Sequence, residues 1–445
     1  MCAIQNICNG INSTQGVFDR FGKQYNENAF ANFKYFIRGK SLDSLYHNLP
    51  NDIPAIIVAS GPSLDKNIGQ LHKAKKKALI IAVDSALRPL IRAGVIPDLC
   101  VSIDGKKNVK HFSDDASKKI PLVCMLTSHR MILEEHKAEK FFLNDLNHHV
   151  QHFMSKNNLV LPVIASGGSV ANDAFSIARM LGIKTIILIG QDLAYTDNKT
   201  HSKTTVRGEW KQDIMKFSNN IWMEGIDGKP ILSSGEFQLY KAWFEEQIIN
   251  YSDTKVIDAT EGGAKIEGSI IETLEQAIEQ ECKKEYDFQL ALRHTKDFFD
   301  KNMKNLFLEY LNQLPDEFEK CRQLAKKGIS YYEEMLKIIY QDKYRNNNKL
   351  KNLTKKVGEV GKNLDDESAM EYVKNEIQEQ TTNMLSDIYK METDEKKELL
   401  SICNSGKEYL ILIENTLKKM TVEVRGKLDK INEEKFETYS GNRIL

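Results

Sequence analysis

Long apolar runs are missing from this 445-residue chain, and no stretch of about 18 hydrophobic residues is available to span a membrane. Met1 to Thr14 are polar and rich in Asn, with no basic n-region and no apolar h-region, so no signal peptide is expected there. Cysteine is sparse. The seven thiols (Cys2, Cys8, Cys100, Cys124, Cys282, Cys321 and Cys403) are odd in number and lack C-x-x-C spacing. That pattern argues against a disulfide framework or a zinc site and for reduced thiols in a cytoplasmic protein. An excess of either charge is also lacking, since Lys+Arg and Asp+Glu both total 62. With no basic footprint and no cluster of base-stacking aromatics, nucleic acid is not an expected partner.

Proline is scarce and unevenly placed, and its distribution divides the chain. Residues 1–52 form a short polar leader with an expected helix over Glu27–Arg38. Residues 53–275 hold seven of the nine prolines, all three tryptophans (Trp210, Trp222, Trp243) and most of the short β-branched runs. After Leu274 only Pro315 remains, and Lys, Glu, Leu and Ile dominate. Proline opposes helix interiors, so residues 276–445 are expected to form a helical C-terminal domain. Apolar residues three and four apart, such as Met303, Phe307, Tyr310 and Leu314, or Leu410, Ile413 and Leu417, fit a bundle.

The middle region alternates two periods. Expected strands are Ala55–Ala59, Ala78–Val83, Leu99–Ile103, Pro121–Leu126, Leu159–Ile164 and Lys184–Ile189, with helices over Asp65–Ala74, Ser85–Ala93 and Ala171–Leu181. Continuous apolar strands between helices are buried on both faces, which implies an α/β fold with a mostly parallel, Rossmann-like sheet and helices on both sides. Ligands bind such sheets outside the carboxyl ends of the strands, so chemistry is sought in the loops that follow them.

Five such loops stand out. In Ser60-Gly61-Pro62-Ser63, Gly61 permits a tight turn, Pro62 suits a helix start, and Ser63 can cap the helix or help bind phosphate. Asp84 either caps its own helix or holds a ribose hydroxyl. Asp104 ends a strand where a carboxylate would enter the cleft, whereas Asp98 reads as a turn residue. Ser166-Gly167-Gly168-Ser169 is a second Gly-rich loop before a helix. Gln191-Asp192 leads through Tyr195 into a polar stretch ending at His201, whose imidazole could serve as a base near neutral pH. His148 and His152 share a helical face, but no H-E-x-x-H accompanies them and no metal site is expected.

Taken together, the Ser-Gly-Pro-Ser-Leu loop, Asp84-Ser85-Ala86-Leu87, Pro97-Asp98 with Ser102-Ile103-Asp104, and Gly190-Gln191-Asp192-Leu193 resemble the motility-associated factor (Maf) flagellin glycosyltransferases. The central domain of that family is related to an archaeal pterin pyrophosphokinase. Asp258-Ala259-Thr260-Glu261-Gly262-Gly263-Ala264 looks like the signature closing the domain, and the resemblance covers about residues 30–275. Through its fold the family is similar to bacterial sialyltransferases, whose Asn-Gly-Pro-Ser-Leu loop contacts a cytidine nucleotide. Here Ser60 replaces that Asn.

The resemblance implies transfer of a nonulosonic or other ulosonic acid (sialic-, pseudaminic-, legionaminic- or Kdo-like) from a CMP-activated sugar to Ser/Thr of flagellin, serving motility. It further implies donor contacts from Ser60, Gly61, Pro62, Ser63 and Asp84, a base-holding loop at Ser166, Gly167, Gly168 and Ser169, and Gln191 nearby. Tyr195 would face the leaving phosphate, with Asp104, Asp192 and His201 as catalytic candidates. The helical C-terminal domain would recognise the acceptor protein. A pyrophosphokinase acting on a pterin-like alcohol is the alternative; it needs Mg²⁺ and paired carboxylates, and Ser102 stands where the second Asp would be. A non-catalytic nucleotide-binding adaptor is the third reading.

Overall fold

The structure is a computed structural model that describes residues 21–50, 52–145, 147–209, 214–216, 219–388 and 394–440. Cys2, Cys8, the polar start and Trp210 lie outside the described residues. The chain divides into two compact units that are interleaved in sequence. One contains 35–145 and 161–299; the other takes the described parts of 1–34, 146–160 and 300–445. The contiguous boundaries at 52 and 275 read from composition therefore do not coincide with the packing units. Composition registers helix content, but it does not register that 21–34 and 147–160 pack with a bundle far along the chain.

The sheet unit has eight strands: β1 (Ala55–Val58), β2 (Leu79–Val83), β3 (Leu99–Val101), β4 (Leu122–Cys124), β5 (Lys140–Phe142), β6 (Thr185–Ile189), and, after the hairpin β7 (Asn220–Glu224) and β8 (Pro230–Ser234), β9 (Lys255–Asp258) and β10 (Ile270–Ile271). The order is β10-β9-β6-β1-β2-β3-β4-β5, and every neighbouring pair in it is parallel. β1 and β2 are buried along their whole length, as unbroken apolar runs require when both faces are covered. The chain builds outward from β1 to β5, then returns to place β6 on the other side of β1. Between β1 and β6 the winding reverses, and ligands of such sheets bind outside the carboxyl ends of the strands at that point.

The α/β sheet and the helical C-terminal region expected from sequence are both present. One strand is not. Residues 159–167 carry no regular structure, and Val160 and Val163 are exposed. Pro162 supplies no N–H, and its carbonyl accepts a single backbone bond, from Asn144 at 2.8 Å, which is too little to extend the sheet. β5 takes the edge position instead, through a Lys-Phe-Phe segment too short to show a period.

In the helical unit, helices Lys301–Tyr340 and Glu395–Ser440 run antiparallel. Asn312 meets Asn432, Arg322 meets Glu414, and Gly328 approaches Leu410, so positions rise on one helix as they fall on the other. Phe307, Leu314, Ile413 and Leu417 of the sequence pattern are buried, and Pro315 lies buried inside its helix. Among the described helices none is long and apolar enough to cross a membrane. Phe33 and Phe153 both pack on Phe307. Ending the chain at residue 299 is therefore expected to strand 21–34 and 147–160 without their core; gel filtration of that fragment should show aggregation rather than a monomer.

Candidate active site

The loops after β1, β6 and β9 interlock at the switch point. Asp192, three residues past β6 and only 2% exposed, accepts bonds from the Ser63 amide at 3.2 Å and the Ser63 hydroxyl at 2.7 Å. The Gly61 amide donates to Gly190 O at 2.8 Å, and the Ala264 amide donates to Asp192 O at 2.8 Å. A Cβ on Gly61 would stand 2.1 Å from Asp192 Oδ2, so the tips can close only around glycine. Burial raises the Asp192 pKa against the Ser63 hydrogen bonds that favour its charge. In this setting Asp192 is a clamp that positions the β1 loop.

The Asp258–Ala264 segment joins the same knot. The Asn67 amide group donates to Ala259 O at 2.9 Å, and the Lys66 ammonium donates to Glu261 O at 3.0 Å. The Gln191 amide donates to the Thr260 hydroxyl at 3.3 Å, while Gln191 Oε1 is buried without a partner. Burial pushes the Asp258 carboxyl up to about 6.

A second group sits beyond β2 and β3. Asp84 is fully buried; it accepts from the Ser102 hydroxyl at 2.9 Å and pairs with the Lys107 ammonium at 2.6 Å. The Ser60 and Ser85 hydroxyls, 2.8 Å apart, connect this group to the β1 loop. The stretch after β6 returns across the same tips: the Ser202 amide donates to Ser60 O at 2.9 Å, the Ser202 hydroxyl donates to Asp65 at 2.6 Å, and Glu209 pairs with Arg88 at 2.7 Å. His201 is carried on this strap. Burial, with Arg207 and Lys107 adding to it, lowers its pKa to about 4, which leaves the ring neutral at physiological pH.

The Gly-rich loop forms a third group. Gly167 and Gly168 lie against the rings of Trp243 and Tyr240. Ser169 caps the following helix in a reciprocal box with Asn172. Asp173, in the first turn of that helix, was not singled out in the sequence. Burial lifts its pKa to about 7, opposed by a hydrogen bond from Ser166, and its Oδ1 has no partner. An Asp in a helical first turn reads as an ordinary dipole match; only its burial distinguishes it. Between roughly pH 4 and 7 the folded state holds a proton that the unfolded state has lost, so stability should fall as pH rises through that window. Asp173→Asn is expected to abolish this slope and to be more stable than the parent at about pH 8, by on the order of 3 kcal/mol, in urea melts.

The remaining candidates are placed differently. Asp104 is exposed, and its carboxylate accepts from the Lys106 amide at 2.8 Å in a turn. Its carboxylate bonds within its own turn rather than to the Asp192 group, and Asp104→Asn should change stability by no more than about 0.5 kcal/mol. Tyr195 is buried at 7% exposure with its ring 5.7 Å from that of Phe237. Pro62 is buried in the β1 loop. Asp98 is a structural residue, accepting from the Ile80 amide at 2.9 Å. His149 belongs to the helical unit, where it stacks on Tyr310 and burial holds its pKa near about 3. Among the described residues no cluster of His, Cys, Asp and Glu could hold a metal ion, and the five described cysteines are free and buried.

Comparison with known proteins agrees with this architecture. The family model described as 6-hydroxymethylpterin diphosphokinase MptE-like matches residues 27–198. The solved structure of a MAf glycosyltransferase from Magnetospirillum magneticum AMB-1 superposes with a TM-score of 0.59 at 16% identity, over 94% of this chain and 63% of that one. Two uncharacterised proteins of Treponema pallidum (strain Nichols) are 24% and 25% identical over 28% and 41% of this chain and 42% and 32% of their own lengths. A third from the same organism is 32% identical over 19% of this chain and 39% of its own length. The chain thus spans less than half the length of these curated relatives. The MptE-like match takes in the loops after β1, β2, β3 and β6, while Asp258–Ala264 falls beyond it. The resemblance read from the loops is matched by both comparisons: this chain has the fold of a Maf glycosyltransferase and carries an MptE-like segment within it.

Proposed function

We propose that the protein is a glycosyltransferase that moves an ulosonic acid from a CMP-activated donor to Ser/Thr hydroxyls of flagellin in the cytoplasm. The observation that carries this reading is the convergence of loops from β1, β2, β3 and β6 at the switch point, where an anionic nucleotide sugar would lie. Glycosyl transfer from such a donor needs donors of hydrogen bonds for the departing phosphate and a neutral base for the acceptor hydroxyl. His201, neutral and on the strap, suits the base. Asp192 is reassigned from catalysis to positioning, because Ser63 already occupies its carboxylate.

Phosphoryl transfer to a pterin-like alcohol is the second reading, favoured by the MptE-like match. Against it, Ser102 and Lys107 already occupy both oxygens of Asp84, so the buried carboxylate is neutralised by an ammonium where a divalent ion would be needed. Thermal-shift titration separates the two. CMP is expected to raise the melting temperature without added metal, and ATP should do so no better with Mg²⁺ than without it. Stabilisation by ATP only with Mg²⁺, and none by CMP, would reverse the order. Intact mass of co-expressed flagellin should then show added ulosonic acid, with the addition lost in His201→Ala.

A further inference from the structure

The group beyond β2 and β3 holds more positive charge than its one buried carboxylate neutralises. Lys107 pairs with Asp84 at 2.6 Å and stays partly exposed, Arg88 is engaged by Glu209, and Arg207 on the strap is exposed. Two histidines lie on segments that meet here: His111 in the turn Val109–Phe112, which packs on the Leu87–Arg92 helix that carries Arg88, and His201 beside Ser202, whose amide meets Ser60 O. His111 is 4% exposed and its Nδ1 has no hydrogen-bond partner; Nδ1 of His201 has none either. Unpaired buried ring nitrogens cost free energy and persist where something else satisfies them.

We infer that Lys107, His111, His201 and Arg207 form a phosphate-recognising patch that receives the phosphate of the nucleotide donor. The inference rests on the glycosyl-transfer reading for the identity of that donor, but its chemistry needs only a phosphate ester. The exposed Arg207 guanidinium is suited to a bidentate contact, and Lys107 can share its charge between Asp84 and a phosphate oxygen. His111 supplies a further donor once protonated, while His201, left neutral for its role as base, can donate only from the one nitrogen that carries a proton.

Proton coupling follows from the surroundings of the rings. Burial depresses His111 to about 4; Asp84 favours its charged form, and Lys107, Arg207 and Arg88 oppose it. His201 is also held at about 4, by burial first and then by Arg207, Lys107 and His111. A phosphate placed among these cations removes the opposition, so its binding should draw a proton onto His111, the ring that Asp84 also favours in its charged form. The same phosphate, departing as CMP, would then be released with that proton.

The test is calorimetry on the full chain with CMP, cytidine and inorganic pyrophosphate, in buffers of differing ionisation enthalpy at about pH 6. CMP should bind at least about tenfold tighter than cytidine, and the proton taken up by His111 is read as the difference between the parent and His111→Gln, which cancels the ionisation of CMP's own phosphate near about pH 6. Arg207→Gln, an exposed position, should cut CMP affinity about tenfold while leaving cytidine binding unchanged. His111→Gln should diminish proton uptake. Equal binding of CMP and cytidine overturns the patch, and so does CMP binding that neither substitution alters. Pyrophosphate binding that depends on Arg207, with no selectivity for CMP, supports the patch while removing the CMP donor from the proposed function. Failure of both CMP and pyrophosphate to bind overturns the patch.

Discussion

Lys107→Met should destabilise the sheet unit by about 3–5 kcal/mol, because it leaves the fully buried Asp84 carboxylate with only the Ser102 hydroxyl for compensation. Urea unfolding followed by the fluorescence of the tryptophans would measure it. The lone substitution mixes two effects, loss of a favourable pair and creation of an uncompensated charge, and a second variant separates them. Asp84→Asn combined with Lys107→Met removes both charges and keeps a partner for Ser102, so most of the lost stability should return. If the double variant is no more stable than Lys107→Met alone, the ion pair is not what makes the site costly to disturb. Recovery of stability without recovery of the stabilisation by CMP expected under the proposed function would support a role for Asp84 and Lys107 in binding rather than in folding.

Gly263→Ala is the second large effect, and it acts through the backbone. Gly263 has φ of +86°, and a Cβ there would stand 2.1 Å from Asp192 O. Alanine would carry the left-handed penalty of about 1–2 kcal/mol together with an overlap of main-chain atoms that no rotamer can relieve. The Ala264–Asp192 hydrogen bond runs through the same junction, so relief of the overlap would separate the β9 loop from the β6 loop. A loss of about 3 kcal/mol or more is expected, or roughly 6–12 °C in the melting of a unit of this size. Gly228→Ala serves as the control: its φ is +76°, yet nothing lies within 4 Å of the added Cβ, so only the conformational penalty should appear. Equal melting temperatures for the two variants would refute the packing argument at Gly263.

The strands nearest the centre were legible because their apolar runs are long and closed by Gly, Pro or Asp; β1, β2 and β6 fall within a residue or two of their expected bounds. β5, β10 and the β7–β8 hairpin were not, since two or three residues carry no period and the hairpin lies outside the alternating pattern. Leu159–Ile164 showed the opposite failure: its apolar content reads as a strand, but pairing needs a neighbour and a proline-free donor row. In the site, the glycine and serine loops were visible from local turn chemistry. Lys107, His111 and Asp173 were not, because in sequence they look like a loop lysine, a loop histidine and a helical first-turn acid.

What the sequence by itself determined is the kind of scaffold and which residues follow its strands: a parallel sheet with Ser63, Asp84 and Asp192 just past strand ends, followed by long amphipathic helices. These follow from periodicity and turn residues, which are local properties of the chain. Only the tertiary structure decided which of those residues are occupied by the protein itself. Burial and pairing depend on segments more than a hundred residues apart, as Ser63 is from Asp192; they turned Asp192 into a clamp, left Asp104 exposed, and buried ring nitrogens of His111 and His201 without partners.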